Sequence, residues 1–261
     1  MRIAIGIEYD GSSFHGWQRQ PFGSTIQDEL EAAVSKIAGE KVEVHAAGRT
    51  DRGVHATAQI AHFDTGAIRP LQAWVRGVNS HVPDGIGVTW AREVDERFHA
   101  RYSANWRRYT YLLLNHAVRP ALMSTKVGWC HHPLDLEAMR EASVHLLGEH
   151  DFSAFRASEC QANTPFREMQ QIGIERSGDY VVFEIRANAF LHHMVRNIVG
   201  SLLYVGRGKC DPSWMKWLLE AKDRTLAAPT FSPCGLYLSE VGYDEEWGIP
   251  SGSGREILGR R

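Results

Sequence analysis

A polar turn bracketed by two glycines, lying between two apolar runs, sets the tightest limit on how this chain folds. The runs, residues 42–47 and 58–63, each read as a strand, and between them stands Gly48-Arg49-Thr50-Asp51-Arg52-Gly53-Val54-His55. Glycine adopts backbone angles that other residues avoid, so Gly48 and Gly53 permit a tight loop that presents one side chain at a defined place. The loop's single carboxylate, Asp51, lies between Arg49 and Arg52, and an adjacent guanidinium favours the ionised form. Such a carboxylate can serve as nucleophile, base or electrostatic stabiliser. The competing reading is a turn aspartate capped by its own arginines.

Residues 2–9 alternate, with Ile3, Ile5 and Ile7 on one face, as a half-buried strand does. Asp10-Gly11-Ser12-Ser13 turns the chain into an exposed loop, Phe14-His15-Gly16-Trp17-Gln18-Arg19-Gln20, pinned by Phe14 and Trp17. Ser24 or Thr25 caps a helix that runs to about Ala38, with Ile26, Leu30, Val34 and Ile37 at helical spacing. A second helix is expected over residues 71–80 and a further strand over 85–94. Strand, helix, strand, strand, helix, strand is the ferredoxin-like order, a sheet with helices on one face.

The pattern then loosely recurs. A strand over residues 107–115 puts Arg107, Tyr109, Tyr111 and Leu113 on one face, and a helix over 134–147 carries Leu136, Met139, Val144 and Leu147 as its apolar positions. A long surface loop reaches Pro165, and residues 169–175 and 180–187 form a hairpin through Ser177-Gly178-Asp179. A helix over residues 190–205, a shorter one after Pro212 and a final strand over 235–241 complete the chain. The expected class is α+β, with two ferredoxin-like lobes built on antiparallel sheets. Residues 1–104 form the first lobe, 105–246 the second, and 247–261, rich in Gly, Ser and Arg, a flexible tail.

Composition excludes several alternatives. With 43% hydrophobic residues in 261, the chain can build a sizeable core. Cys130, Cys160, Cys210 and Cys234 form no C-x-x-C pair and suit a reducing compartment. An acid at Glu8 comes too soon for a signal peptide, and no apolar run approaches the roughly 18 residues of a membrane span, so the chain reads as soluble and cytoplasmic. A net charge of −2 argues mildly against a nucleic-acid partner. Yet from Arg97 to Leu134 stand Arg97, Arg101, Arg107, Arg108, Arg119 and Lys126 without any acid, and Phe98, Tyr102, Trp106, Tyr109 and Tyr111 are interleaved. Cations for phosphates and rings for bases make an RNA-binding surface; the plainer alternative is a strand with solvated arginines.

The helix over residues 190–205 turns Leu191, Val195, Ile198, Leu202 and Val205 to the core and sets His192 and Arg196 one turn apart on another face. An arginine among so many apolar neighbours needs a carboxylate if buried, and Asp51 is the expected partner; otherwise the side chain snorkels to solvent. Three further signals fail. Asp64-Thr65-Gly66 spells an aspartic-protease triplet, but those enzymes need two such carboxylates sharing a proton, and a turn after a strand fits better. Gly206-Arg207-Gly208-Lys209-Cys210 is no P-loop, because Leu203 stands where the first glycine must be. Cys130-His131-His132 lacks any second ligand pair, so no metal is expected.

The loop sequence Gly48 to His55 closely resembles the central motif of the tRNA pseudouridine synthase A (TruA) family, in which the aspartate is catalytic and the next position varies. Tyr9-Asp10-Gly11 with Gly16-Trp17-Gln18-Arg19-Gln20, Arg107-Arg108-Tyr109-Thr110-Tyr111, the stretch from Ala187 to Asn197, and Gly235-Leu236-Tyr237-Leu238 resemble its other blocks, over about residues 3–243. The resemblance implies a pseudouridine synthase fold around a central cleft. It also implies a homodimer that isomerises uridines 38, 39 and 40 in the anticodon stem-loop of tRNA, without a cofactor. By the same resemblance Asp51 is the nucleophile, attacking uracil C6 or assisting chemistry at C1′ through a glycal-like intermediate. Arg196 then pairs with Asp51, Tyr109 stacks on the base and takes its proton, Leu236 floors the uracil pocket, Arg49 acts in flipping the base, and the 14–20 loop faces RNA. Two rival readings remain: a non-catalytic RNA-binding module on the same sheet, and a dimeric aspartic protease built on Asp64.

Overall fold

The computed structural model describes residues 1–21 and 23–250. Two compact units divide the chain: Met1–Trp106 joined by the chain from Tyr237 onward, and Arg107–Leu236. The sequence reading places the boundary at 104/105 and the last strand in the second lobe; the structure instead gives that strand to the first unit.

In the first unit, β1 (Arg2–Tyr9) leads to α1 (Ile26–Ala38), then β2 (His45–Ala46), β3 (His55–Asp64), the expected second helix over residues 71–79, π-helical from Ala73 to Gly77, and β4 (Ile86–Val94). Thr25, in extended backbone, accepts the Asp28 N–H to start α1, and Gly39 ends it in the left-handed conformation. The strands order as β4-β1-β3, all antiparallel. One edge of β3 is taken along its length by β1, while the other is shared. β2 pairs there at Ala61 and His62, and the final strand pairs in parallel at His55 and Ala56. This is the ferredoxin-like order with an added strand. The strand expected over residues 42–47 shrinks to His45–Ala46. β1 is buried on both faces rather than one, since Ala4 is as fully covered as Ile5 and the Trp90 indole lies across Gly6.

The second unit begins within β5 (Ala104–Asn115) and contains β6 (Gly128–Cys130), α2 (Leu136–Val144), β7 (Gly148–Asp151), β8 (Phe166–Ser177), β9 (Tyr180–Ala187), α3 (Met194–Gly206) and α4 (Trp214–Ala221). Its sheet runs β5-β9-β8-β7, antiparallel throughout, with β6 parallel to β5. The β8–β9 hairpin closes through two residues, with Gly178 at φ +59. On α2 the sequence reading chose part of the apolar face wrongly: Met139, Ala142 and Leu146 are buried, whereas Val144 is 61% exposed and Leu147 40%. α3 also starts four residues later than expected, because His193 takes φ +62 and breaks the helical run.

The last strand is β10 (Leu236–Tyr243), followed by a short 3-10 turn (Glu245–Trp247). Trp247, expected to open a flexible tail, packs its ring 5.6 Å from Phe98, and residues 251–261 of that tail lie outside the described residues. Among the described residues no helix is long and apolar enough to cross a membrane.

Candidate active site

The Asp51 loop joins β2 to β3, and its backbone is fixed on both sides of the carboxylate. On the entry side Gln59, fully buried on β3, donates from Nε2 to Gly48 O at 2.6 Å and accepts the Gly48 N–H at 3.3 Å. Thr50 is held twice: its hydroxyl meets the Tyr9 OH at 2.7 Å, and its carbonyl accepts the Trp17 N–H at 2.9 Å. On the exit side the Val54 N–H bonds to Asp51 O at 3.1 Å and closes the turn around Gly53, which sits at φ +79; Gly48 does not take a left-handed angle. Asp51 itself is half-buried, and Arg49 and Arg52 on either side are exposed.

The loop over residues 14–20 is the outer support. Phe14 and Trp17 are buried, as the sequence suggests. Gly16 lies at φ +91, and a side chain there would come within 2.8 Å of Thr50 O and 3.1 Å of Arg52 N, so only glycine lets the two loops touch. Burial pushes the Tyr9 phenol up to about 12, against the hydrogen bonds from Thr50 and Gln59. It therefore stays protonated at neutral pH and acts as a fixed polar strut.

Tyr109, Arg196 and Leu236 belong to the second unit. Tyr109, on β5 opposite Ile185, is 8% exposed and meets the Phe190 ring edge-on at 5.0 Å. Arg196, half-buried near the start of α3, donates from Nε to Phe231 O at 2.8 Å, which sets the plane of its guanidinium. His192 precedes the helix, so the shared helical face expected for His192 and Arg196 does not exist. Leu236 is 5% exposed, and its N–H bonds to Pro233 O at 2.9 Å. Just before it Gly235 presses against β5: Leu112 N–H donates to Gly235 O at 2.8 Å, and a side chain would collide with Leu112 O at 2.2 Å.

Sequence reasoning quoted Asn197 only as part of a motif and assigned it no task. Buried completely, it is the fastening of the segment that carries Phe231 and Leu236. Its Oδ1 accepts from Thr230 Oγ1 at 2.7 Å and from Arg224 Nη2 at 3.0 Å, while its Nδ2 donates to Phe155 O at 2.8 Å. An asparagine inside an otherwise apolar helical face was the available signal, since a buried amide must be satisfied on both sides.

The basic window is only partly available to a ligand. Arg97 pairs with Asp95 through Nε and Nη2, both at 3.0 Å, and that hydrogen bonding holds the Asp95 carboxyl down at about 2. Arg107 is buried and donates to Asn188 O at 3.1 Å. Asp64 is gripped by Arg2 at 2.8 and 2.6 Å, which lowers its proton affinity below the usual carboxylate range. A carboxylate so paired does not share a proton as a protease dyad must.

A family model described as tRNA pseudouridine synthase matches residues 5–103 and 142–244. A tRNA pseudouridine synthase A of Dechloromonas aromatica is 59% identical over 250 residues, covering 96% of this chain and 95% of that one. One of Chromobacterium violaceum is 59% identical over 252 residues, with 96% of each chain covered. One of Vibrio vulnificus is 54% identical over 259 residues, 99% of this chain and 97% of the other.

Proposed function

The chain belongs to the tRNA pseudouridine synthase family, and from that premise we propose how its own residues isomerise uridine to pseudouridine in tRNA. The reaction breaks the N1–C1′ bond, turns the uracil and joins C5 to C1′. The proton lost at C5 is matched by one gained at N1, so nothing is added or removed overall and no cofactor enters the scheme.

Asp51 is the nucleophile. Its support is the frame around it: Gly48, Thr50 and Val54 are each tied down while the Asp51 side chain stays half-buried. A reacting group held that way needs little reorganisation in the transition state. Arg196 is assigned as its partner, because a planar fork with its plane already set at Phe231 O grips a carboxylate in two places. Tyr109, held by Phe190, faces the base and takes the C5 proton; Leu236 is an apolar floor that excludes water. Arg49, exposed beside Asp51, stands in for the stacking that the flipped base loses, a cost of a few kcal/mol. The targets are uridines 38, 39 and 40 of the anticodon stem-loop, and the enzyme works as a cytoplasmic homodimer; these points rest on the motif resemblance. Sedimentation at micromolar concentration showing only a 29.4 kDa species removes the dimer.

The test is Asp51→Asn, which keeps the volume and deletes the charge. Release of tritium from C5 of labelled uridine in a tRNA transcript is expected to vanish, with tRNA affinity within about twofold of wild type, because phosphate contacts carry most of the affinity. Wild-type turnover by a normally folded Asp51→Asn enzyme refutes the assignment.

A further inference from the structure

Two segments that take no part in this chemistry meet in the second unit. Cys130-His131-His132 leaves β6, and Arg207-Gly208-Lys209 follows α3. The Asp135 N–H donates to Gly206 O at 2.8 Å, and Leu134 lies against Gly206, so the chain leaving β6 is tied to the end of α3. Rings and cations gather along both segments, and the two runs together form a ribbon. Trp129 and His131 have centroids 5.4 Å apart, and His131 and His132 lie 3.9 Å apart. Lys209 Nζ sits 4.6 Å from the Tyr204 centroid, and the Tyr204 and Trp214 rings are within 13° of parallel at 6.1 Å. Burial first, then Arg207, His131 and Lys209, hold His132 below the usual histidine range, so Arg207 and Lys209 lie close enough to act on that ring.

The ribbon is prebuilt and accessible. Asn115 Nδ2 clamps Cys130 O at 3.0 Å and His132 O at 2.7 Å, and Trp129 Nε1 donates to His116 O at 2.8 Å. Trp129 is 37% exposed, and His131 and Lys209 are exposed. Of the acids nearest in sequence, Asp135 caps the Ala138 N–H at 3.0 Å and Glu137 pairs with Arg140, while Asp211 stands exposed two residues after Lys209.

We propose that this ribbon is a further RNA-contact surface, in which Arg207 and Lys209 take backbone phosphates and Trp129 and His131 stack on an unpaired base of the tRNA. Flat rings accept any base, and adjacent cations neutralise the strand, which is the chemistry of single-stranded or loop RNA. The surface adds affinity without touching the reacting uridine. It rests on the tRNA reading above. Its plain competitor is that Arg207 and Lys209 only offset the negative end of the α3 dipole.

The experiment uses the full chain with tRNA transcript and three proteins: wild type, Arg207→Ala/Lys209→Ala and Trp129→Ala. In the double variant Kd is expected to rise about tenfold or more, and the slope of log affinity against log salt to become shallower by about two, one per phosphate contact. Its turnover at saturating tRNA stays at the wild-type value. Trp129→Ala is expected to weaken binding severalfold with the wild-type salt slope, since stacking releases no counterion. Wild-type Kd and slope in the double variant overturn the proposal, and a lowered melting temperature alone then favours the dipole role. A change in sedimentation with unchanged RNA affinity also overturns it and marks a protein contact instead. If wild type neither binds nor modifies tRNA, the functional reading itself falls, a result distinct from both.

Discussion

Tyr9→Phe isolates the strut beneath the Asp51 loop. The change keeps the ring, its burial at 5% exposure and its packing 6.0 Å from Trp17, and removes only the hydroxyl 2.7 Å from Thr50 Oγ1. Thr50 is itself 7% exposed, so its hydroxyl loses a partner where water scarcely reaches. Leaving one buried polar group unmatched costs about 1–3 kcal/mol. At about 2–4 °C per kcal/mol for a chain of this size, the midpoint falls by several degrees. The pH dependence separates this cause from a general loosening. A phenol ordinarily near 10 and raised to about 12 by burial is neutral in both states below pH 10, so its contribution there is constant. Above pH 10 the unfolded chain ionises first, and wild type loses about 1.4 kcal/mol by pH 11 on this account alone. The phenylalanine variant loses none of it, so the gap between the two proteins narrows by that amount from pH 8 to pH 11. Urea unfolding followed by tryptophan fluorescence at both pH values measures the gap. If Asp51 reacts as proposed, kcat at pH 8 is expected to fall about tenfold with tRNA affinity unchanged, because Thr50 adjoins Asp51 and small misplacements of a reacting group are costly. A gap that stays constant with pH, or an unaltered kcat, refutes the strut.

Three other outcomes are expected. Arg196→Lys keeps the charge but loses the Nε–H bond to Phe231 O and the two-pronged grip proposed for Asp51, so kcat is expected to drop at least about a hundredfold, and adding Asp51→Asn to make it no worse than Asp51→Asn alone. Asn197→Ala leaves Phe155 O without its donor and Arg224 and Thr230 without their shared acceptor; a loss of about 3 kcal/mol in urea unfolding is expected, with activity falling as the 229–236 segment loosens. His62, on β3 opposite His45, is lowered to about 3 by burial first and then by His99, Arg2 and His45, with Asp64 pulling weakly the other way. Its neutral form therefore stabilises the fold above about pH 6.5 and that stability drains away as pH falls toward 3, about 2 kcal/mol by pH 5; a His62→Gln protein should show a flatter profile in urea unfolding between pH 7 and pH 5.

What the sequence determined by itself is what neighbouring residues decide together. α1 could be read to its ends because Thr25 and Gly39 cap it from within one turn, and the β8–β9 hairpin because a two-residue glycine loop leaves its strands one pairing. The turn that presents Asp51 was legible for the same reason, since one short motif contains both the carboxylate and the glycine that closes the loop. Tertiary structure decided the rest. α3 begins at Met194 because His193 is held at a left-handed angle that no helical periodicity encodes. The final strand joins the first unit through β3, far from it in sequence. Asn197 gathers Phe155, Arg224 and Thr230 across separate loops, and Tyr9 reaches Thr50 over 41 positions. Cys130-His131-His132 and Gly206-Arg207-Gly208-Lys209, each dismissed when read singly, acquire a shared surface only when Asp135 and Leu134 meet Gly206. Propensity and capping act within a few residues along the chain. Burial, desolvation and hydrogen-bond satisfaction act on whatever the fold brings within a few ångströms, and so appear only once it has formed.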